Sequence, residues 1–178
     1  MLPLDNIHIQ CYYINSNIKR GDIINIYTVS FFGHRYIERQ ADIEQKLDKL
    51  LKELITKKEY IEFLIGRDGD FDIIAAAAIK RAIEEYSWGN TFFKLILPYQ
   101  KSEFIKNEKY YLNYYNEIEI CSEAASAHFK AAYSVRNQNM VDRSDLVIFC
   151  LQHNSGGAYQ TYLYSKEKNK KTINLADT

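Results

Sequence analysis

Residues 60–79 read YIEFLIGRDGDFDIIAAAAI, and this stretch decides the fold. Tyr60 to Ile65 is a short run of apolar and aromatic residues stopped by Gly66, as a buried strand should be. A polar turn carrying Gly66 and Gly69 follows. A helix is then predicted over Phe71 to Tyr86, where Ala75 to Ala78 permit close packing on a sheet. A buried strand that passes through a glycine turn straight into a helix is half of a βαβ unit.

The same alternation extends in both directions. Ile23 to Phe32 reads as a strand ending at Gly33, and Asp42 to Lys57 as a helix with Ile43, Leu47, Leu50, Leu51, Leu54 and Ile55 on one stripe. Phe92 to Leu97 is a third strand, ended by Pro98. Residues 99–121 lose the pattern, mixing charge with tyrosine around one short strand at Glu117 to Ile120; such an excursion is often functional. A helix over Ala124 to Val141, a strand over Leu146 to Leu151, a helix over Gly157 to Lys168 and a strand over Lys171 to Leu175 complete the chain. The expected architecture is α/β: a single Rossmann-like domain over residues 23–178, with a mainly parallel sheet of about five strands and helices on both faces. Residues 1–22 are set apart as an N-terminal extension, where Ile7, Ile9, Cys11 and Tyr13 alternate as an extra edge strand would.

The chain has 178 residues, enough for one core without staples. Its 23 basic and 23 acidic residues cancel, so no net field draws it to a polyanion or an acidic membrane. Nucleic acid is therefore an unlikely partner on this reading, unless a local patch supplies the charge. Cys11, Cys121 and Cys150 are odd in number and far apart, which argues against structural disulfides and against a zinc site. Residues 1–13 carry Asp5 and no basic residue of the kind a leader's first segment needs, and no apolar run approaches the roughly 18 residues that span a bilayer. The expectation is a cytoplasmic protein with no membrane association. Fifteen Tyr and nine Phe suit a base-stacking surface, or simply reflect an Ile/Asn/Lys/Tyr-rich composition.

Three polar glycine segments fall directly after predicted strands: FFGHR at residues 31–35, GRDGDFD at 66–72 and HNSGGA at 153–158. In a parallel sheet these ends share one edge, where ligands collect at the point of strand-order reversal. A glycine turn lets backbone approach a ligand, and the following helix offers unpaired N–H groups to a phosphate. Ser155, Gly156 and Gly157, opening a helix, are the best such cradle. None of the segments has the GxGxxG or Walker A spacing. Arg35 can grip an anionic oxygen; His34 is either a catalytic group or a loop cap. Asp68, Asp70 and Asp72 start like a calcium loop, but Ile73 and Ile79 stand where glycine and glutamate are required. No metal and no cofactor is expected. No triad or paired-carboxylate signature stands out, and Arg136 reads from the residues alone as a cation near a helix C-terminus.

Taken in order, these segments resemble the YpsA-like branch of the SLOG superfamily, relatives of the DprA Rossmann domain and of the LOG phosphoribohydrolases that activate cytokinins. FFGHR resembles that branch's FTGHR, and GRDGDFDIIAAAAI its GGAxGFDxxAA. Residues 136–175, RNQNMVDRSDLVIFCLQHNSGGAYQTYLYSKEKNKKTINL, resemble its R-N-x-x-M-V-x-x-S-D strand, SGGTxxT, helix and final strand. The resemblance covers about residues 24–176 and implies a nucleotide or nucleotide-derived ligand, a nucleotide-sugar or NAD-related molecule. Carried over, Gly33, His34, Arg35, Gly69, Asp72, Arg136, Asn137, Ser155, Gly156, Gly157 and Thr161 would line the pocket, with Gly66 in the same turn as Gly69. Asp72 would accept a ribose hydroxyl, and Arg35 and Arg136 would pair with the anion.

Two departures bear on activity. Arg67 and Asp68 stand where the branch has two glycines, and Tyr162 and Leu163 stand near the place of the LOG catalytic glutamate. The expected function is thus a module that senses or sequesters its ligand. The alternative is an N-glycosidic hydrolase on a nucleoside monophosphate, with Asp72, Asp68 and Arg136 as the candidate catalytic residues. The family tendency, with the apolar content of the helices at 124–141 and 157–168, points to a homo-oligomer.

Overall fold

A computed structural model describes residues 25–177; the edge strand expected near residues 7–13 and the boundary at residue 22 lie outside them. Six strands form one all-parallel sheet: β1 (Ile26–Gly33), β2 (Tyr60–Ile65), β3 (Thr91–Leu97), β4 (Glu117–Ile120), β5 (Leu146–Cys150) and β6 (Lys171–Asn174). Their order is β4-β3-β2-β1-β5-β6. The chain winds outward from β1 to β4, then returns to place β5 on the other side of β1. Strand order therefore reverses between β1 and β5.

Helices α1 (Gln40–Lys57) and α2 (Asp70–Tyr86) cover one face; α6 (Ala132–Arg143) and α7 (Gly156–Glu167) pack on the other. Alternate side chains of each strand serve the two layers. Phe31, Phe63 and Leu95 join the α1/α2 core, while Phe32, Leu64 and Ile96 join Met140 and Val141 beneath α6. Burial on both faces explains why the inner strands β1, β2, β3 and β5 read as near-continuous apolar runs. Packing of α2 is close: a Cβ on Gly33 would stand 2.4 Å from the Phe71 ring.

Two expectations are refined. The sheet has six strands because Glu117–Ile120 pairs with β3 in register Lys94↔Glu117 through Leu97↔Ile120. Ahead of it, residues 99–116 contain two short helices, α3 (Ser102–Lys106) and α4 (Glu108–Leu112). The helix expected over 124–141 is broken into α5 (Ser122–Ser126) and α6 by residues 127–131. Alanines at 124, 125, 127, 131 and 132 fit any helical phase, and Phe129, which a continuous helix would use for packing, is 71% exposed. Among the described residues no helix is long and apolar enough to cross a membrane.

Candidate functional site

The carboxyl ends of β1, β2 and β5 open into a cleft of about 500 Å³ at the reversal point, within the roughly 300–1,000 Å³ usual for small-molecule sites. The three glycine segments supply its walls. Gly33, His34, Arg35 and Tyr36 come from the β1–α1 connection, and Gly66, Asp68, Gly69 and Asp72 from the β2–α2 turn. His153, Gly156, Gly157 and Ala158 come from the β5–α7 connection, with Tyr133, Arg136 and Asn137 on α6 behind them.

The glycines divide into two kinds. Gly33 makes room for Phe71, Gly69 for the backbone of Arg35, and Gly66 for Arg136, whose Nη1 would lie 2.3 Å from an added Cβ. These three are demanded by protein packing. Gly156 and Gly157 meet nothing within 4 Å, and Gly156 has φ +85°. They stand at the N-terminus of α7, where no side chain caps the helix, so its first-turn N–H groups have no side-chain partner and the positive end of the helix dipole lies at the cleft lining.

His34 is a structural tie. Its Nδ1 accepts the Gln152 N–H at 3.1 Å, which leaves Nε2 to donate to the Ser155 carbonyl at 3.2 Å. Its ring also stacks on His153 with centroids 3.5 Å apart. Burial, then the charge of His153, hold its pKa below the ordinary value. A neutral imidazole therefore clamps the β5–α7 loop to β1, and neither nitrogen is left for proton transfer. The side chain caps another loop, one the sequence could not place beside it.

Arg136 is 4% exposed because it shares the inward stripe of α6 with Ala132 and Met140. Its Nη1 donates to the Ile96 carbonyl at 3.1 Å and its Nη2 to Asp68 Oδ2 at 3.0 Å. Asp68 Oδ1 meets Lys101 at 3.1 Å. Both arginine amino groups are thus occupied by protein. Arg67 turns away from the cleft, over the Tyr111 ring. Arg35 is exposed and has no ion-pair partner among the described residues, which makes it the available cation at the cleft.

Asp72 lies on the cleft floor, where protein atoms enclose the carboxyl although the residue keeps partial exposure. Its Oδ2 accepts the Asp68 N–H at 2.8 Å. Burial pushes its pKa up to about 6, against the pull of that hydrogen bond and of the Arg136 charge. At neutral pH this carboxyl is an acceptor close to its titration point, suited to a hydroxyl group or to proton exchange.

Thr161 and Ser155 stand off the wall. Thr161 Oγ1 donates to the Gly157 carbonyl and accepts from Asn137 Nδ2 at 3.0 Å; it braces the first turn of α7. Tyr36, Tyr133, His153 and Lys101 were not singled out in the sequence. Tyr36 directly follows Arg35, and Tyr133 precedes Arg136 by one helical turn, so both carried a positional signal. Lys101 carried none, because its partner is 33 residues away in sequence.

No protein-family model matches this chain, and no curated protein does. Solved structures do match. DNA processing protein A (DprA) from Streptococcus pneumoniae aligns with a TM-score of 0.58 and 14% identity, over 83% of this chain and 49% of its own. DNA processing protein A from Helicobacter pylori aligns with a TM-score of 0.55 and 18% identity, over 82% of this chain and 63% of its own; that structure is described as showing a unique single-stranded DNA binding mode. This chain spans less than two thirds of the length of either relative. The likeness corrects one expectation, that nucleic acid is an unlikely partner, since a single-stranded DNA binder uses this fold. Net charge was the wrong measure because contact with nucleic acid depends on local charge. The chain carries the same Rossmann-like α/β fold as the matched part of these DprA structures.

Proposed function

We propose that this chain is a nucleotide-binding module, holding a phosphate at the N-terminus of α7 and a ribose hydroxyl at Asp72, with Arg35 as the cationic partner of the phosphate. The observation that carries this reading is the uncapped first turn of α7, where Gly156 and Gly157 leave open space at the cleft. Backbone N–H groups and a helix dipole bind phosphate without a dedicated side chain. The chemistry fits a free nucleotide and one unit of a single strand alike, and the likeness to the Helicobacter pylori protein supports the second. Arg136 serves as a scaffold for Asp68 in this reading and does not touch the anion.

A second reading, N-glycosidic hydrolysis of a nucleoside monophosphate, is favoured by one observation: the Asp72 carboxyl sits near pKa 6 on the cleft floor, where it could activate water or stabilise an oxocarbenium-like state. A panel of nucleoside monophosphates, NAD, cyclic nucleotides and a single-stranded oligonucleotide separates the readings, with melting temperature and free-base release followed together. A ligand that raises stability and is recovered intact supports the binding module. Base release that disappears in Asp72→Asn supports the hydrolase. A panel that leaves stability unchanged and releases no base removes both.

A further inference from the structure

We propose that the cleft does not read the base of its nucleotide, and that the base stacks on Tyr36 whatever its identity. This rests on the nucleotide reading above and deepens it.

Reading a base edge takes donors and acceptors free to form paired hydrogen bonds, as Asn, Gln, Arg or a carboxylate provide. The cleft has few left. His34 spends both nitrogens on Gln152 and Ser155. Asp68 is held between Lys101 and Arg136. Arg136 gives its amino groups to Ile96 and Asp68, and its Nε, though without a hydrogen-bond partner, is closed to solvent. Asn137 donates to Thr161, and its Oδ1, though without a hydrogen-bond partner, is closed to solvent. Once Arg35 is taken by phosphate and Asp72 by the sugar, every other amide, guanidinium and carboxylate of the lining is hydrogen-bonded to protein, and the two atoms left without a partner, Arg136 Nε and Asn137 Oδ1, are closed to solvent. What the walls do offer is ring surface. Tyr36 lines the cleft, is 79% exposed, and has no ring or hydrogen-bond partner among the described residues. A free aromatic face accepts any base, because every base has a π-face.

The experiment titrates the full chain with AMP, GMP, CMP, UMP and ribose 5-phosphate by calorimetry, then repeats the series with Tyr36→Ala and Tyr36→Phe. The four nucleotides should bind within about fivefold of one another, and ribose 5-phosphate roughly five- to tenfold more weakly. Tyr36→Ala should bring the nucleotides down to the level of ribose 5-phosphate while leaving ribose 5-phosphate unchanged; Tyr36→Phe should restore them. A preference above tenfold for one base, or nucleotide binding unaffected by Tyr36→Ala, overturns the proposal and leaves the phosphate site standing. Ribose 5-phosphate and all four nucleotides failing to bind overturns the nucleotide reading and this proposal with it.

Discussion

Replacing Asp68 with Asn tests the electrostatic floor of the cleft. Arg136 is 4% exposed, and its Nη2 lies 3.0 Å from Asp68 Oδ2. Removing one partner of a buried ion pair costs about 3–5 kcal/mol when the other charge is stranded. Here the Asp68 side chain keeps 24% exposure, Arg136 retains the Ile96 carbonyl, and an asparagine oxygen can still accept one bond. These offsets reduce the expected loss to about 2 kcal/mol, or roughly 4–8 °C in melting temperature for a chain of this size. Urea denaturation of wild type, Asp68→Asn, Arg136→Met and the double variant measures the coupling directly. The double variant should lose less than the sum of the single ones. A loss under about 0.5 kcal/mol in Asp68→Asn, or strict additivity, would refute the claim that this pair fixes Arg136.

Three further outcomes follow from the same geometry. Folded Asp72 keeps its proton up to about pH 6, whereas the unfolded chain releases it near the ordinary 3.8. Stability from this group is therefore present at low pH and lost as pH rises through that window. Asp72→Asn should raise the unfolding free energy at pH 8 by an amount on the order of 1–3 kcal/mol, with a matching rise in melting temperature, and change both little at pH 4; an equal shift at both pH values contradicts the assignment. His34→Ala should abolish the hydrogen-exchange protection of the Gln152 amide, which His34 Nδ1 accepts, and unchanged protection contradicts the clamp. Gly33→Ala should destabilise by about 1–3 kcal/mol through collision with Phe71, while Gly157→Ala, facing open space, should leave stability within about 0.5 kcal/mol; equal losses in denaturant midpoints would refute the division of the glycines.

The fold was legible because the four inner strands β1, β2, β3 and β5 carry buried apolar runs and each is followed by a glycine, a proline or a polar turn. Tyr60–Ile65 and Leu146–Cys150 could be read almost to the residue. The helix break at 127–131 was hidden by alanines that carry no phase. The site was legible as a set of segments and much less so as a set of roles. His34, Arg136 and Thr161 stand at or beside the cleft, yet their hydrogen bonds go to Gln152, Ile96 and Gly157. Two of those three partners are at least 40 residues away along the chain, and only folding makes them neighbours. Lys101 went unnoticed for the same reason, since its significance lies in Asp68.

Gly157→Asp tests the phosphate site most directly. A carboxylate in the first turn of α7 complements the helix dipole and should hold or raise stability by about 0.3–1 kcal/mol, while occupying the place assigned to the phosphate. For a nucleotide that stabilises the wild-type chain, calorimetric titration of this variant should show affinity reduced more than tenfold with the melting temperature of the free protein undiminished. Unchanged affinity would contradict the account, because it would place the phosphate away from α7.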